Sequence, residues 1–428
     1  MVNYQSGNQG ARGRICTIPF FVLLLLSLAG LFFIAVRFTK GIGAVSNLSD
    51  GYPWGIWVAY DVAIGTAVAC GGYAVAVLSY LLNRGEYHRL VGSAVLTSLF
   101  GSCLAAFSVM VDVGRPWNAY GFFVPTQWQP TSAFFELLIC LAGCLVALSI
   151  EFLPALLSLP GPGRPPLWQG VLLRLLPGAL AERLALEPCS AGALQAAASH
   201  LRPRLNRALI CLVVAGIVLP TMHQSALGSL MLIASTKLHP LWHSPFLPLL
   251  FLINCIYIGF AMVILESILS SYLGARDYQR GALSALATLI PWLGCAWLVI
   301  RVGDLLKRDQ VAAVFHGDLY SLFFLAEFFL MALGSIMLFG PQKSRSPRRL
   351  FLAAAMMLMG GALYRCNVYL IGFNPGSAWH YFPSFAEVMI SVGIVSLQLL
   401  GYQLFVKMVA PAAGRQAAPE RSTPSGPA

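Results

Sequence analysis

The sequence is poor in charged residues. Of its 428 residues only 10% are Asp, Glu, Lys or Arg and 58% are hydrophobic, whereas charged residues make up about 25% of an average soluble protein. The mean hydropathy of +0.75 leaves few polar side chains to cover a surface in water. These values exclude a soluble globular domain and predict a polytopic membrane protein. The net charge of +11 does not indicate a nucleic-acid partner, because the basic residues lie between apolar runs.

The sequence also lacks the ligand patterns of redox cofactors. Its ten cysteines include no C-x-x-C pair, and Cys140 and Cys144, one helical turn apart, are interpreted as packing residues. None of the seven histidines lies near the middle of a predicted span, whereas a b-type haem held between helices needs paired imidazoles. We therefore expect no haem, no iron–sulfur cluster and no metal site in this chain.

A signal-peptide cleavage pattern is missing after the first apolar run, Pro19 to Val36, so this run is interpreted as a retained first span. It follows a polar cytoplasmic segment, residues 1–18. The transmembrane domain is predicted at 19–409, with a Pro-interrupted cytoplasmic linker at 154–205 suited to anionic lipid. Residues 410–428 are predicted to be a disordered tail. The predicted spans are 19–36, 54–82, 90–111, 131–153, 206–222, 246–272, 282–300, 317–339, 350–372 and 386–409.

The basic residues predict the orientation. With the N-terminus inside, 19 of the 27 Lys and Arg residues fall on the inner side, seven in the outer loops, and Arg365 within a span. The positive-inside rule then places both termini in the cytoplasm. The loops rich in Gly, Pro, Trp, Asn and His all face the outer side, so we expect the functional site on that side.

A weak internal repeat predicts the fold. Span three ends in Asp112-Val113-Gly114-Arg115 and span seven in Arg301-Val302-Gly303-Asp304, and the next span carries an acid after paired phenylalanines in both cases. The offset of four helices predicts an all-α protein of about ten transmembrane helices, built from two four-helix bundles plus two extra helices.

Asp61 lies inside the apolar stretch from Trp54 to Leu82, where an ionisable group is costly and therefore a functional candidate. Polar and aromatic residues that could form a site together are predicted at the outer ends of the spans: His223, Asp61, Trp54, Arg115, Asp112 and Gln224. Alternatively, Asp61 only accepts hydrogen bonds from neighbouring helices, His223 caps span five, and Arg115 and Asp112 pair with each other or with Arg301 and Asp304.

Three further residues suggest a proton route. Glu136 lies near the outer end of span four, Ser102 near the middle of span three, and Glu266 near the inner end of span six. An outer acid, a central hydroxyl and an inner acid would form a ladder across the membrane. The alternative is that the two acids are packed, protonated groups bonded to neighbouring backbone.

Several segments carry a resemblance to a known family. They are GIGAVSNLSDGYPWGIWVAYD (41–61), DVGRPWN (112–118), PTMHQSALGSLM (220–231) with the following HPLW, RVGDL (301–305), and GFNPG with YFP (372–383). In order and spacing they resemble the integral-membrane, cytochrome-b-type subunit of periplasmic uptake nickel–iron hydrogenases, in the NrfD/polysulfide-reductase membrane-anchor superfamily. Two departures are a longer segment at 160–200 and Ser102, where a close relative has Tyr.

The resemblance implies a haem-free subunit of the bacterial inner membrane that reacts with menaquinone or ubiquinone and carries no catalytic metal. A quinone site needs hydrogen-bond donors and a proton route beside an apolar slot. With that function implied, the predicted quinone-binding residues are the six at the outer ends of the spans: His223, Asp61, Trp54, Arg115, Asp112 and Gln224. Its implied partners are a periplasmic ferredoxin-like iron–sulfur subunit and, through it, the large and small hydrogenase subunits. The sequence leaves two alternatives open: the same role beside a different reductase or a multihaem cytochrome, and a transporter, which ten spans with buried acids would also fit.

Overall fold

The computed structural model describes residues 18–81, 88–157, 191–272, 280–341 and 345–416. These residues form ten helices long and apolar enough to cross a membrane, and no strand is found among them. The helices are α1 (Ile18–Lys40), α2 (Ala63–Ala76, extended by π-helical turns at Trp57–Val62 and Val77–Leu81), α3 (His88–Asp112), α4 (Ala133–Leu157), α5 (Ala191–Ile233), α6 (Leu247–Tyr272), α7 (Arg280–Lys307), α8 (Leu319–Leu338), α9 (Pro347–Cys366, with a π-helical turn at Asn367–Ile371) and α10 (Phe385–Gln416).

The ten predicted spans are confirmed, with two corrections at their ends. Span five does not stop at residue 222, because α5 continues to Ile233 and buries His223 and Gln224. Residues 221–229, which were predicted to belong to the outer loop between spans five and six, are therefore helical. Span seven likewise continues past Arg301 to Lys307. In both places a polar residue that ends the apolar run in sequence is buried against other helices.

The predicted pair of four-helix bundles is present. Within the first, α2 packs on α3, α3 on α4, α4 on α5 and α5 on α2; within the second, α6 to α9 close a ring in the same order. The bundles meet where α6 packs on α2 and α5. Gly71 of α2 and Gly259 of α6 touch through their backbones there, so a Cβ on either would overlap the other helix. Small residues allow such close approach of membrane helices.

The two extra helices, α1 and α10, pack against each other, and α10 also contacts α3. Gly30 and Gly393 mark their closest approach. The connections at 41–56, 113–132, 234–246, 308–318 and 372–384 all lie at one end of the molecule, which we call the loop end. Residues 158–190 of the predicted linker lie outside the described part, as do residues 1–17 and 417–428 of the predicted terminal segments.

The loop end carries less exposed positive charge than the sequence count suggests. Arg37, counted in an outer loop, is buried at the end of α1, where its guanidinium donates to the carbonyls of Val111 and Val113 at the end of α3. Arg301 is fully buried inside the second bundle. The side of the membrane that each end faces remains a prediction of the positive-inside rule.

Candidate functional site

The first bundle contains a small, partly open cavity. It offers about 10 Å³ to the centre of a water molecule, which is about what one water needs. Helices α2, α3, α4 and α5 all contribute to its wall, so only the closed bundle creates it. The lining residues are Thr66, Ala69, Cys70, Tyr73, Ser102, Leu141, Cys144, Pro220, His223 and Gln224. Three of the predicted site residues, Ser102, His223 and Gln224, are therefore brought together.

His223 is the central group of this site. It lies midway along the span Val214–Ile233 and is only 3% exposed. Its Nδ1 lies 3.2 Å from the carbonyl oxygen of Leu137; because a carbonyl only accepts, Nδ1 carries the hydrogen. The other ring nitrogen, Nε2, is buried with no hydrogen-bond partner. That atom is left to exchange a hydrogen bond or a proton with whatever enters the cavity.

Gln224 connects the cavity to the second bundle. Its Nε2 donates to Thr66 Oγ1 at 2.9 Å, and its Oε1 accepts from Nη1 of Arg365 at 2.8 Å. Thr66 in turn donates to the Val62 carbonyl. Each donor thus meets an acceptor, which fixes the amide orientation of Gln224.

Arg365 of α9 is a candidate site residue that was not predicted from the sequence. It is fully buried and donates to Asn254 Oδ1 and to the carbonyls of Ala63 and Phe251, besides Gln224. All these acceptors are neutral, and no carboxylate contacts its guanidinium in the described part of the chain. An arginine inside an apolar helix was the available signal, since such a charge marks a functional position by default.

Two hydroxyl groups line the cavity from different helices. Ser102 belongs to α3, whereas Tyr73 of α2 donates its hydroxyl to the Cys144 carbonyl at 3.3 Å. Tyr73 was not predicted as a site residue, because a tyrosine in an apolar helix does not indicate a functional role until its neighbours are known.

Asp61 is buried, but it does not line the cavity. Its Oδ2 accepts from Ser391 of α10 at 2.8 Å, whereas Oδ1 has no partner. The carboxylate therefore faces α10, on the other side of α2 from His223. It belongs to the π-helical turn Trp57–Val62, a feature that is frequent at functional sites.

The remaining predicted ligands are spread over the loop end. Trp54 is buried and donates to the Tyr369 carbonyl at 3.1 Å. Arg115 is exposed, while Asp112 interacts electrostatically with Arg37. The suggested pairing of Arg115 and Asp112 with Arg301 and Asp304 is wrong. Asp304 binds Arg308 at 2.6 Å and Arg301 binds Glu327 at 3.5 Å, both in the second bundle.

The predicted proton ladder is only partly aligned. Glu136 is half-buried in the first turn of α4, next to the Leu137 carbonyl that holds His223. Glu266 is buried, and it accepts from Thr97 of α3 at 2.7 Å and from the Tyr402 hydroxyl of α10. Ser102 and Thr97 lie on the same helix, five residues apart. Ser102 thus lines the cavity, Glu136 does not, and Glu266 lies nearer the opposite end and contacts α10.

Comparison with known proteins identifies relatives over most of the chain. The sequence model of the family described as "Polysulphide reductase, NrfD" matches residues 44–374. The "Probable Ni/Fe-hydrogenase 2 b-type cytochrome subunit" of Escherichia coli (strain K12) is 34% identical over 400 residues, 93% of each chain. The C subunit of selenate reductase from Mesobacillus selenatarsenatis is 20% identical over 419 residues, 91% of this chain and 93% of its own. The "Menaquinone reductase, integral membrane subunit" of Nitratidesulfovibrio vulgaris is 26% identical over 119 residues, 28% of this chain and 27% of its own.

The name of the first relative raises the question of haem. The sequence argument against haem was wrong on one point, because His223 does lie at the centre of a span. The space beside its imidazole nevertheless holds about one water, and the other described imidazole side chains, at 239, 243, 316 and 380, belong to the loops. The residues around His223 therefore do not fit a haem held between two helices. That the chain carries no haem remains a prediction.

Proposed function

The chain belongs to the NrfD family of membrane subunits, and on that premise we propose that it is a haem-free, quinone-reactive subunit of a respiratory oxidoreductase. It passes electrons between a periplasmic iron–sulfur subunit and the quinone pool of the membrane. The observation that carries the proposal is His223, which lines the cavity of the first bundle and has an Nε2 without a hydrogen-bond partner among the described residues. Reduction of a quinone requires two protons, and an imidazole nitrogen with a free lone pair can accept a proton and pass it on.

Arg365 gives the site a suitable electrostatic character. Its positive charge reaches the cavity through Gln224 and has no described carboxylate to neutralise it. A quinone that accepts electrons before protons develops negative charge on its oxygens, and a fixed positive charge in an apolar interior stabilises that charge. Arg365 therefore favours reduction of the ring, while His223 exchanges a proton at one oxygen.

A quinone ring is larger than the cavity, so the site must widen to bind it. Within the bundle α4 packs on α3 and α5, and Leu138, Ile139 and Val146 on its outer side are exposed. We infer that movement of α4 admits the ring from the lipid, with Leu141 displaced from the cavity wall. A largely apolar slot with few polar groups is typical of such sites.

The partner is proposed to dock at the loop end. Trp117, Tyr120 and Phe123 are exposed on the 113–132 connection above the first bundle, and exposed aromatic side chains are enriched at protein interfaces. The hydrogenase named in the E. coli relative supports a nickel–iron hydrogenase as the catalytic unit, joined through the iron–sulfur subunit. The selenate reductase and menaquinone reductase names support the alternative that another reductase occupies the same place. Isolation of the intact complex from its own cells and identification of its subunits decides between them.

The quinone site is tested with His223→Ala in the complex with its electron donor. We expect quinone reduction to fall at least about 100-fold, the usual size of a lost acid–base group, with the protein inserted and bound to its partner. Met222→Ala is the matched control, because Met222 is the neighbouring residue but faces outward. Normal turnover in His223→Ala would remove this residue from the site, and a stoichiometric b-type absorption band would refute the haem-free assignment.

The proton-transfer role of Glu136, Ser102 and Glu266 is part of the same proposal. In proteoliposomes, Glu136→Gln and Glu266→Gln should each slow quinone reduction and change its response to membrane potential, since moving one charge through 100 mV is worth about 2.3 kcal/mol. Ser102→Ala should have a smaller effect, because water beside a serine can take over the relay. Rates identical to those of the unmodified protein at every potential would exclude the two acids.

A further inference from the structure

The second bundle contains a buried cluster of charged and polar side chains that the quinone site does not use. Glu327 of α8 lies at its centre and is completely buried. Its carboxylate accepts from Trp242 Nε1 at 3.1 Å and from Asn367 Nδ2 at 2.6 Å, and it faces Arg301 of α7. Tyr364 of α9 lies within the electrostatic influence of both charges. Three helices and the 234–246 connection thus enclose one polar compartment.

The ion pair at the centre is loose. Arg301 Nη2 and Glu327 Oε1 are 3.5 Å apart, longer than a charge-assisted hydrogen bond normally is. Arg301 Nε and Nη1 have no hydrogen-bond partner among the residues that the structure describes. The guanidinium is instead surrounded by rings, those of Phe324 at 5.0 Å, Tyr364 at 5.6 Å and Trp297 at 6.0 Å.

Other polar atoms beside the pair are also unpartnered. They are Trp297 Nε1, the Tyr364 hydroxyl, Asn367 Oδ1 and Asp304 Oδ1. Buried polar groups in native proteins are nearly always hydrogen-bonded, to protein or to ordered water. So many unpartnered donors and acceptors around one ion pair indicate water between them.

The compartment also has neighbours that extend it along the bundle. Towards the loop end, Asp304 binds Arg308, which donates to the Pro240 carbonyl at the surface. Two turns further along α8 from Glu327, Ser335 is hydrogen-bonded to Tyr257 at 2.8 Å. A carboxylate between polar groups on both sides, beside water, is placed to receive and pass on protons.

We propose that the Glu327 compartment of the second bundle is a hydrated proton-exchange site, with water and the hydrated proton as its ligands. Glu327 accepts a proton from the enclosed water and returns it, and the positive charge of Arg301 remains beside it throughout. The charged and titratable groups that act on Glu327 are Arg301 of α7 and Tyr364 of α9. The ion pair of Asp304 in α7 with Arg308 in the 308–318 connection lies beyond them towards the loop end. The site is separate from the His223 cavity and does not require quinone.

The test is pH-jump infrared difference spectroscopy on the full-length chain reconstituted in lipid, without quinone or partner. We expect a carbonyl band of a protonated carboxylic acid and O–H bands of internal water that shift in H₂¹⁸O. Glu327→Gln should abolish the acid band, and Glu327→Asp should shift it. Asp50→Asn is the control, because it removes an exposed acid of the 41–56 connection that belongs to neither bundle and should leave these bands unchanged.

Two results would overturn the proposal. One is an unmodified protein with no internal-water bands sensitive to H₂¹⁸O. The other is an acid band that persists in Glu327→Gln or is unchanged in Glu327→Asp. Since neither measurement depends on quinone turnover, a quinone site that proves wrong would leave this proposal standing, and the reverse also holds.

Discussion

The two bundles have the same helix order but different interiors. In the first, neutral polar groups of His223, Gln224, Thr66 and Tyr73 surround a cavity of water size. In the second, the corresponding region is occupied by the Arg301–Glu327 ion pair and its neighbours. One arrangement leaves an unpaired imidazole nitrogen for a ligand, and the other fixes two opposite charges inside the protein. The same helix arrangement thus holds the candidate binding site in the first bundle and the buried ion pair in the second.

The bundles are joined by Arg365, which belongs to the second but bonds to Gln224 and Ala63 of the first. Its charge is therefore presented to a cavity that has no ionised group in its wall. The second bundle thus supplies the positive charge nearest to the cavity of the first. Substitutions in each bundle can test how different the two interiors are and how strongly they depend on each other.

The largest effect is expected for Glu327→Ala, which leaves Arg301 buried without a counter-charge. Breaking a buried ion pair in this way costs about 3–5 kcal/mol. Thermal unfolding of the purified protein measures the loss. Glu136→Ala in the first bundle removes a half-buried acid and should change stability by about 0.5 kcal/mol or less. Equal losses in the two variants would contradict the difference between the interiors.

The next largest effect is expected for Arg365→Met. This substitution leaves the buried side-chain oxygens of Asn254 and Gln224 without their hydrogen-bond donor. Unsatisfied buried groups cost about 1–3 kcal/mol each, so we expect a loss of about 3 kcal/mol. Quinone reduction should fall as well. Arg348→Met on the exposed side of the same helix is the control for unfolding and turnover, and a variant as stable and active as that control would show that the bundles are not coupled here.

Gly259→Val separates the bundles mechanically. A Cβ at Gly259 would lie 2.6 Å from the Gly71 backbone nitrogen, so α2 and α6 must move apart, at a cost of about 1–3 kcal/mol. Gly303→Val introduces the same side chain where nothing lies within 4 Å and should be tolerated. A lower unfolding midpoint is expected in the first variant only; equal midpoints would mean that this contact does not hold the bundles together.

The smallest effect concerns the loop that covers the second bundle. Burial lowers the pKa of His239 below its usual 6.5, although Asp318 opposes the shift, and the ring stacks on Tyr320 at 4.2 Å. Between the lowered pKa and 6.5 the unfolded chain binds more protons, so the folded loop loses stability as the pH falls through that window.

Hydrogen exchange of residues 235–246 should therefore be faster at about pH 5 than at neutral pH, after correction for intrinsic rates. His239→Gln removes the titrating ring and should remove most of this dependence. A pH dependence unchanged in that variant would assign the effect to another group.

Much of the architecture follows from the sequence. Long apolar runs have no stable alternative to spanning helices in lipid, because every backbone group must be hydrogen-bonded within its own segment. That is why ten spans, their order and the two bundles were predictable from hydropathy and a repeat offset of four helices. The ends of α5 and α7 were not, because His223 and Arg301 look like loop residues until neighbouring helices bury them.

The site divides in the same way. The sequence alone supplied the residue types: an imidazole, an amide, hydroxyls and acids in otherwise apolar segments. Only the tertiary structure decided that His223, Gln224 and Ser102 share one cavity, that Asp61 faces α10 instead, and that Arg365 and Tyr73 belong to the site. The physical reason is that a helix fixes the direction of a side chain only relative to its own axis. Which group that side chain meets depends on the rotation and packing of helices far apart in the chain, and close contacts such as Gly71 against Gly259 set that packing.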